Sequence, residues 1–273
     1  RGRKILIGEA QPDVAADEDL PPRPPVLCAG CAHRGVFSIL GKLKAYVTGD
    51  IGCYTLGSLP PLNALHTCVC MGAGVGMSHG MQKIRGHEAR VVAVIGDSTF
   101  VHSGITGLVN IAYNSGVSTV IILDNGTTAM TGGQVHPGVG ETLSGMPGRR
   151  LDFEALCRAV GIEDVVVVDA YDLAATEEAI KSAMDSPEPS VVIARRECVL
   201  MSRRREPAPV LDLDKCIRCG LCIQLGCPAL TALDDGEKRP RPLINEEQCT
   251  GCNQCVQVCP VGALKDNSRG DES

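Results

Sequence analysis

Eight cysteines between Cys216 and Cys259 fall into two runs, each closed by a Cys-Pro step: Cys216, Cys219, Cys222 and Cys227-Pro228, then Cys249, Cys252, Cys255 and Cys259-Pro260. Cysteines two residues apart on a tight loop can aim their thiolates inward together, and four thiolates hold a cubane [4Fe–4S] cluster. Where two such runs are paired, the last cysteine of each ligates the other run's cluster. The spacing predicts two ligand sets, Cys216, Cys219, Cys222 with Cys259 and Cys249, Cys252, Cys255 with Cys227, and therefore one-electron chemistry. The first run has four residues, Ile223 to Gly226, before its last cysteine, where the usual interval is three. A local bulge is expected there, not the loss of a ligand. Gly220 and Gly251 are expected to relieve crowding beside the clusters, and the prolines to fix the backbone. Disulfides and zinc are the competing readings, and two Cys-Pro runs suit zinc poorly.

A second constellation is built from oxygen. Gly96-Asp97-Ser98 closes the apolar run 91–95, and Asp124-Asn125-Gly126-Thr127 closes the apolar run 119–123. Ligands of an open parallel sheet sit outside the carboxyl ends of its strands. Magnesium takes about six oxygens in near-octahedral geometry. Asp97 offers a carboxylate, Asn125 an amide oxygen and Thr127 a backbone carbonyl, leaving room for diphosphate oxygens and water. Gly96, Gly104 and Gly107 are expected to let backbone approach the phosphates near a helix N-terminus. Taken singly, each motif is also an ordinary turn.

Seven cysteines lie outside the paired runs. Cys28 and Cys31 form a Cys-x-x-Cys pair before the first helical pattern, Cys53 ends Gly49-Asp50-Ile51-Gly52-Cys53, and Cys198 follows Arg195-Arg196-Glu197. All three segments can lie at one end of a parallel sheet, where four thiolates could converge. On spacing alone, scattered thiols or a zinc ion remain open. Cys157 reads as a core residue, and Cys68 and Cys70 either line the pocket or pack. His33, His66 and His136 sit in glycine-rich turns beside the same site. One of them could give a proton or contact a substrate carboxylate, although a lone histidine is more often structural. Arg149-Arg150 and residues 203–205 read as solvated faces or partner contacts.

The elements that must position these residues follow from periodicity. Continuous β-branched runs predict buried parallel strands at 46–48, 91–95, 119–123, 165–168 and 191–194. Helical patterns lie between them at 35–43, 72–84, 103–114, 152–160 and 173–186. Alternating strands and helices imply an α/β fold, a doubly wound, mostly parallel sheet, followed by a small two-cluster α+β domain. The expected division is a linker or extension at 1–25 with a short strand at 5–7, the α/β domain at 26–202, a linker at 203–209, the cysteine-rich module at 210–265 and a tail at 266–273. A net charge of −6 does not suggest nucleic-acid binding, and 3% aromatic residues without tryptophan offer no base-stacking platform. No run is long enough to span a bilayer and no leader pattern is visible. Fifteen cysteines without an export signal point to metal ligation in a reducing cytoplasm. The chain begins at Arg1 and is expected to be a piece of something longer.

The Asp97 and Asn125 motifs resemble the thiamine-diphosphate fingerprint, Gly-Asp-Gly followed after one further strand by Asn-Asn. Ser98 replaces the second glycine and Asp124 the first asparagine, and neither change removes a proposed ligand. With Cys28-Ala29-Gly30-Cys31-Ala32-His33-Arg34-Gly35, the Cys53 turn, Met71-Gly72-Ala73 and Thr131-Gly132-Gly133-Gln134-Val135-His136-Pro137, nearly the whole chain resembles the 2-oxoacid:ferredoxin oxidoreductases. Within that family it is most similar to the C-terminal half of the indolepyruvate-type alpha subunits. The resemblance implies thiamine diphosphate and Mg2+ held by Asp97, Asn125 and Thr127, with backbone around Gly52, Cys53, Gly72, Gly96 and Ser98 cradling the cofactor. It also implies a third, proximal [4Fe–4S] cluster on Cys28, Cys31, Cys53 and Cys198. The implied reaction is oxidative decarboxylation of an aryl 2-oxo acid to an acyl-CoA, with electrons leaving through the clusters to an external ferredoxin. Pyruvate or another 2-oxo acid, or an electron-transfer subunit with a vacant thiamine site, is the alternative. The implied partners are a pyrimidine-binding domain or subunit, a small gamma-like subunit and coenzyme A, in a cytoplasmic hetero-oligomer.

Overall fold

A computed structural model describes residues 24–86, 90–202 and 205–267. The expected strand at 5–7, most of the extension, Arg203 and the end of the tail lie outside the described residues. Helix α1 (His33–Lys42) leads to strand β1 (Tyr46–Gly49), a two-residue strand β2 (Thr67–Cys68) and helix α2 (Ala73–Arg85). Strand β3 (Val91–Gly96) runs directly into a helical turn α3 (Asp97–Thr99), a π-turn over Phe100–Gly104 and helix α4 (Ile105–Tyr113). Strand β4 (Thr119–Asp124), helix α5 (Phe153–Ala159), strand β5 (Asp164–Asp169), helix α6 (Leu173–Asp185) and strand β6 (Ser190–Arg195) complete the α/β part. The six strands form one parallel sheet in the order β2-β1-β3-β4-β6-β5.

The continuous apolar runs are explained by burial on both faces. Successive residues of a strand point to opposite sides. Val92 and Val94 of β3 pack with α1 and α6, while Ala93 and Ile95 pack with Val75 of α2, Leu108 of α4 and Phe153 of α5. The short edge strand β2 carries no such run, so periodicity gave no sign of it. After β1 the chain turns outward to β2, and after β3 it turns the other way to β4. The carboxyl ends of β1 and β3 therefore open a switch-point crevice.

The helix expected at 103–114 begins at Asp97 instead. Gly104 and Gly107 consequently lie inside the helical segment, not at its phosphate-facing end. A Cβ at Gly104 would meet Ile95 Cδ1 at 2.6 Å, and one at Gly107 would meet Val75 at 3.0 Å. Their expected contact with phosphate is replaced by close helix packing.

The module comprises β7 (Val210–Leu211), α7 (Leu221–Gln224), β8 (Leu230–Leu233), β9 (Arg241–Ile244), α8 (Gln254–Gln257) and β10 (Leu264–Lys265), with two antiparallel pairs, β7 with β10 and β8 with β9. Its buried core is Cys222, Leu230 and Leu264, with Cys227, Cys255 and Cys259 packed around them. Gly251 is crowded by the backbone of Glu206 at 2.5 Å, whereas nothing lies within 4 Å of a Cβ at Gly220, which is glycine for its φ of +78°. The expected relief of crowding at Gly220 is thus corrected to a turn requirement. Among the described residues no helix is long and apolar enough to cross a membrane.

The two glycine environments of α2 give a test. A Cβ at Gly80 would meet nothing within 4 Å, and one at Gly74 would lie 2.9 Å from the Gly49 backbone. Gly80→Ala is expected to stabilise the domain by about 1 kcal/mol, and Gly74→Ala to destabilise it by roughly 1–3 kcal/mol through overpacking, both read by denaturant unfolding. Equal effects would contradict the close β1–α2 contact.

Candidate redox and cofactor site

The crevice at the strand ends is a pocket lined by His33 from α1, by Ile51, Gly52, Cys53 and Tyr54 after β1, by Gly96, Asp97, Ser98 and Thr99 after β3, and by Asn125, Thr127 and Thr128 after β4. Asp97 is buried at its floor. Its Oδ1 accepts from the Ser98 amide at 2.8 Å, and its Oδ2 from the Gly126 amide at 2.7 Å and from His136 Nε2 at 3.1 Å. A carboxylate offers about four acceptor positions, so this one is rigidly aimed with capacity left for a cation. Asn125 Oδ1 accepts from the Thr127 amide at 3.2 Å, closing the turn that brings the two proposed oxygen donors together.

His136 differs from its expected role. The Gly138 amide donates to Nδ1 at 3.1 Å, so the ring donates to Asp97 through Nε2. Both nitrogens are engaged, and the side chain orients Asp97. His66 also has a structural role, since its Nδ1 accepts from the Val47 amide at 3.0 Å and its ring stacks on Tyr46. His33 does face the pocket. Burial pushes its imidazole down to about 4, against the pull of Asp97, so the ring is neutral near pH 7 and brings no positive charge to a carboxylate.

Three structural residues were not singled out in the sequence. Asp50 is fully buried. It accepts from the Tyr54 hydroxyl and, at 2.9 Å, from the Gly72 amide, tying the Cys53 turn to the start of α2. Gly72 therefore acts from behind the pocket, where its φ of +85° and the Ser103 side chain require glycine. A Cβ at Gly52 or Gly96 would enter the Tyr54 ring, so these glycines admit that ring to the wall. Asp124 is answered by Arg195 of the neighbouring strand, whose Nε donates to Oδ2 at 2.7 Å. Burial pushes the Asp124 carboxyl up, Arg195 draws it down, and Asp97 beside it pushes it up again.

The four cysteines expected to be proximal influence one another electrostatically, though among the described residues they are not gathered into a metal-holding group. Burial pushes the Cys31 thiol up to about 12, opposed by the His33 amide and Arg34 and reinforced by Cys28 and Cys53. Burial also pushes up Cys53, with Cys198 and Cys28 acting in the same direction. Cys53 thus feels or is felt by each of the other three thiols, and it also lines the pocket. Cys68 and Cys70 are exposed and absent from the lining, with Cys68 Sγ bonded to the Asp50 carbonyl at 3.4 Å. Cys157 is fully buried in the core.

In the module, Cys216, Cys219, Cys222 and Cys259 face one cavity, and Cys227, Cys249, Cys252 and Cys255 face another. Cys259 therefore shares a cavity with the first run and Cys227 with the second. Among the described residues, no group of three or more His, Cys, Asp or Glu side chains is gathered to hold a metal ion; each set of four in the module surrounds a space. The extra residue of the first run also has a use. Arg34, buried at the start of α1, donates through Nη1 to the carbonyls of Leu225 (3.1 Å) and Gly226, and through Nε to that of Cys28 (3.2 Å). Gly226, at a φ of +67°, is the bulge, and a Cβ there would strike Pro61 at 2.7 Å.

Two segments of the chain match known families. Residues 50–194 match the model of the thiamine pyrophosphate enzyme C-terminal TPP binding domain, and residues 209–265 match a 4Fe-4S dicluster domain. The chain is 42% identical over 277 residues to indolepyruvate oxidoreductase subunit IorA of Pyrococcus horikoshii, and 42% identical over 275 residues to that of Thermococcus kodakarensis. These alignments take in 93% and 92% of this chain but 42% of each relative, so the chain spans about two fifths of their length. A 2-oxoglutarate:ferredoxin oxidoreductase from Magnetococcus marinus shares the fold, with a TM-score of 0.57 at 22% identity over 67% of each chain.

The Asp124–Arg195 pair gives a test of the pocket floor. Arg195→Met leaves a buried carboxylate without its cation and is expected to cost roughly 1–3 kcal/mol. Adding Asp124→Asn is expected to recover most of the loss in denaturant unfolding. A single variant as stable as the parent would contradict the pairing.

Proposed function

The chain belongs to the thiamine pyrophosphate enzymes, whose C-terminal TPP binding domain it carries, and from that premise we propose that it is the cofactor-binding and electron-exporting part of a 2-oxoacid:ferredoxin oxidoreductase of the indolepyruvate type. The observation that carries this reading is the position of Cys53, which lines the cofactor pocket and is electrostatically linked to Cys28, Cys31 and Cys198. A pocket for oxidising a 2-oxo acid and a set of thiolates for collecting its electrons then share one wall.

In this reading Asp97, Asn125 and Thr127 hold Mg2+ and, through it, the diphosphate. Thiamine diphosphate supplies the carbanion that decarboxylates a 2-oxo acid, and [4Fe–4S] clusters supply one-electron acceptors. The residues of this chain do the positioning. His136 and the amides of Ser98 and Gly126 fix Asp97, and Asp50 fixes the Cys53 turn against Gly72. His33 presents a neutral imidazole that can donate one hydrogen bond and accept another without adding charge. Arg195 balances Asp124 beside the pocket floor. Three clusters follow, on Cys28, Cys31, Cys53 and Cys198; on Cys227, Cys249, Cys252 and Cys255; and on Cys216, Cys219, Cys222 and Cys259. Indolepyruvate or another aryl 2-oxo acid as substrate, coenzyme A as acyl acceptor, ferredoxin as electron acceptor and a cytoplasmic location are proposed from the likeness to the IorA subunits. So are a pyrimidine-binding domain, a small gamma-like subunit and assembly into a hetero-oligomer.

The test is Asp97→Asn in the complete complex, a change that keeps the side chain's shape and removes its charge. Thiamine diphosphate content and 2-oxo-acid-dependent reduction of ferredoxin are expected to fall at least about tenfold, with iron content unchanged. Full cofactor binding and turnover in the variant would overturn the metal assignment. The isolated chain is expected to reduce no acceptor until its partner is added.

A further inference from the structure

Gln254 lies at the first turn of α8, two positions after Cys252, and is 2% exposed. Its side-chain amide nitrogen has two protons. One is donated to the Cys31 carbonyl at 3.2 Å, and the other to Cys252 Sγ at 3.6 Å. The acceptor half, Oε1, is buried without a partner. It rests against Gly35 of α1, where a Cβ would approach it to 2.9 Å. Reversing the amide would set an oxygen against both the Cys31 carbonyl and the Cys252 sulfur, so the network fixes the donor toward the sulfur. Gly35 makes the space, and Gln254 fills it at the cost of an unsatisfied oxygen.

We propose that Gln254 is a positioning residue that sets the reduction potential of the cluster held by Cys227, Cys249, Cys252 and Cys255, by donating an amide hydrogen bond to Cys252 Sγ while anchored on the Cys31 turn. The proposal rests on the reading of those four cysteines as cluster ligands. A hydrogen bond to a ligating sulfur favours the reduced, more negative state and raises the potential. Gln254 does not titrate, so it gains and loses no proton as the cluster takes up one electron. The anchor on Cys31 makes this tuning a property of the joined domains. A module shifted away from α1 would lose the bond to Cys31, and with it the fixed direction of the amide.

The experiment is a reductive titration of the full chain in its complex, followed by electron paramagnetic resonance. It uses a chemical reductant and neither thiamine nor substrate, so its result does not depend on the chemistry of the pocket. Gln254→Met keeps the side chain's length and removes the donor, and Gln254→Glu keeps the shape but can only accept. Both are expected to lower one midpoint potential by roughly tenfold in the reduction equilibrium, about 59 mV for one electron, leaving the other midpoints and the iron content unchanged. A merely structural role would lower thermal stability without moving a midpoint. Unmoved midpoints in both variants at full iron content would overturn the proposal. Loss of the module's iron from the unsubstituted chain would instead remove the cluster reading on which it rests.

Discussion

The buried guanidinium of Arg34 is the constraint on which the arrangement depends. It leaves the start of α1 and donates to carbonyls on both sides of the domain junction, Leu27 and Cys28 in its own domain and Leu225 and Gly226 in the module. Burial lowers its pKa, and the thiols around it, Cys227, Cys31, Cys28 and Cys252, raise it again. Two of these thiols lie before α1 and two in the module. A buried cation requires acceptors, and here they come from both domains, so satisfying Arg34 fixes the module against the Cys-x-x-Cys turn. Further contacts complete the joint. Gln257 accepts from the Leu173 amide at 2.9 Å and donates to the Tyr171 carbonyl at 2.7 Å, and the Tyr171 hydroxyl donates to Gly30.

The order of groups along the molecule follows from this joint. The crevice between the ends of β1 and β3 opens beside Cys53, the Cys28–Cys31 turn abuts α1, and Arg34 and Gln254 connect that turn to the Cys252 set. The remaining set, built around Cys216, lies in the module on the side away from α1. A doubly wound sheet supplies the crevice wherever the strand order reverses. What is particular to this chain is the cysteine placed in the crevice wall and the arginine placed at the start of α1.

Much of this arrangement was legible in the sequence, and the rest was hidden for physical reasons. The central strands were readable because burial on two faces demands continuous β-branched runs, as in Ile121–Leu123 and Val191–Ala194, and the edge strand β5 carries such a run although Val166 and Val167 are exposed. The grouping of Cys259 with the first run and of Cys227 with the second follows the expectation that cluster geometry restricts spacing. The edge strand at Thr67–Cys68 was not, since two residues carry no period. The tie of His136 to Asp97 was not legible, because it depends on the Gly138 amide fixing the ring, a contact that no local pattern encodes. Gly104 and Gly107 were placed at phosphate because the helix start was set at Ser103, whereas the chain turns helical at Asp97. Arg34 stood in a recognised motif, yet its acceptors at Leu225 and Gly226 are nearly two hundred positions away. Only the extra residue before Cys227 hinted that something there needed room.

The central claim is that three sets of four thiolates carry electrons away from one pocket. Iron and acid-labile sulfide, measured on the anaerobically purified chain, test it most directly. The account predicts about twelve irons per chain, four for each cubane. About eight irons, with Cys28, Cys31, Cys53 and Cys198 still open to alkylation, would contradict it.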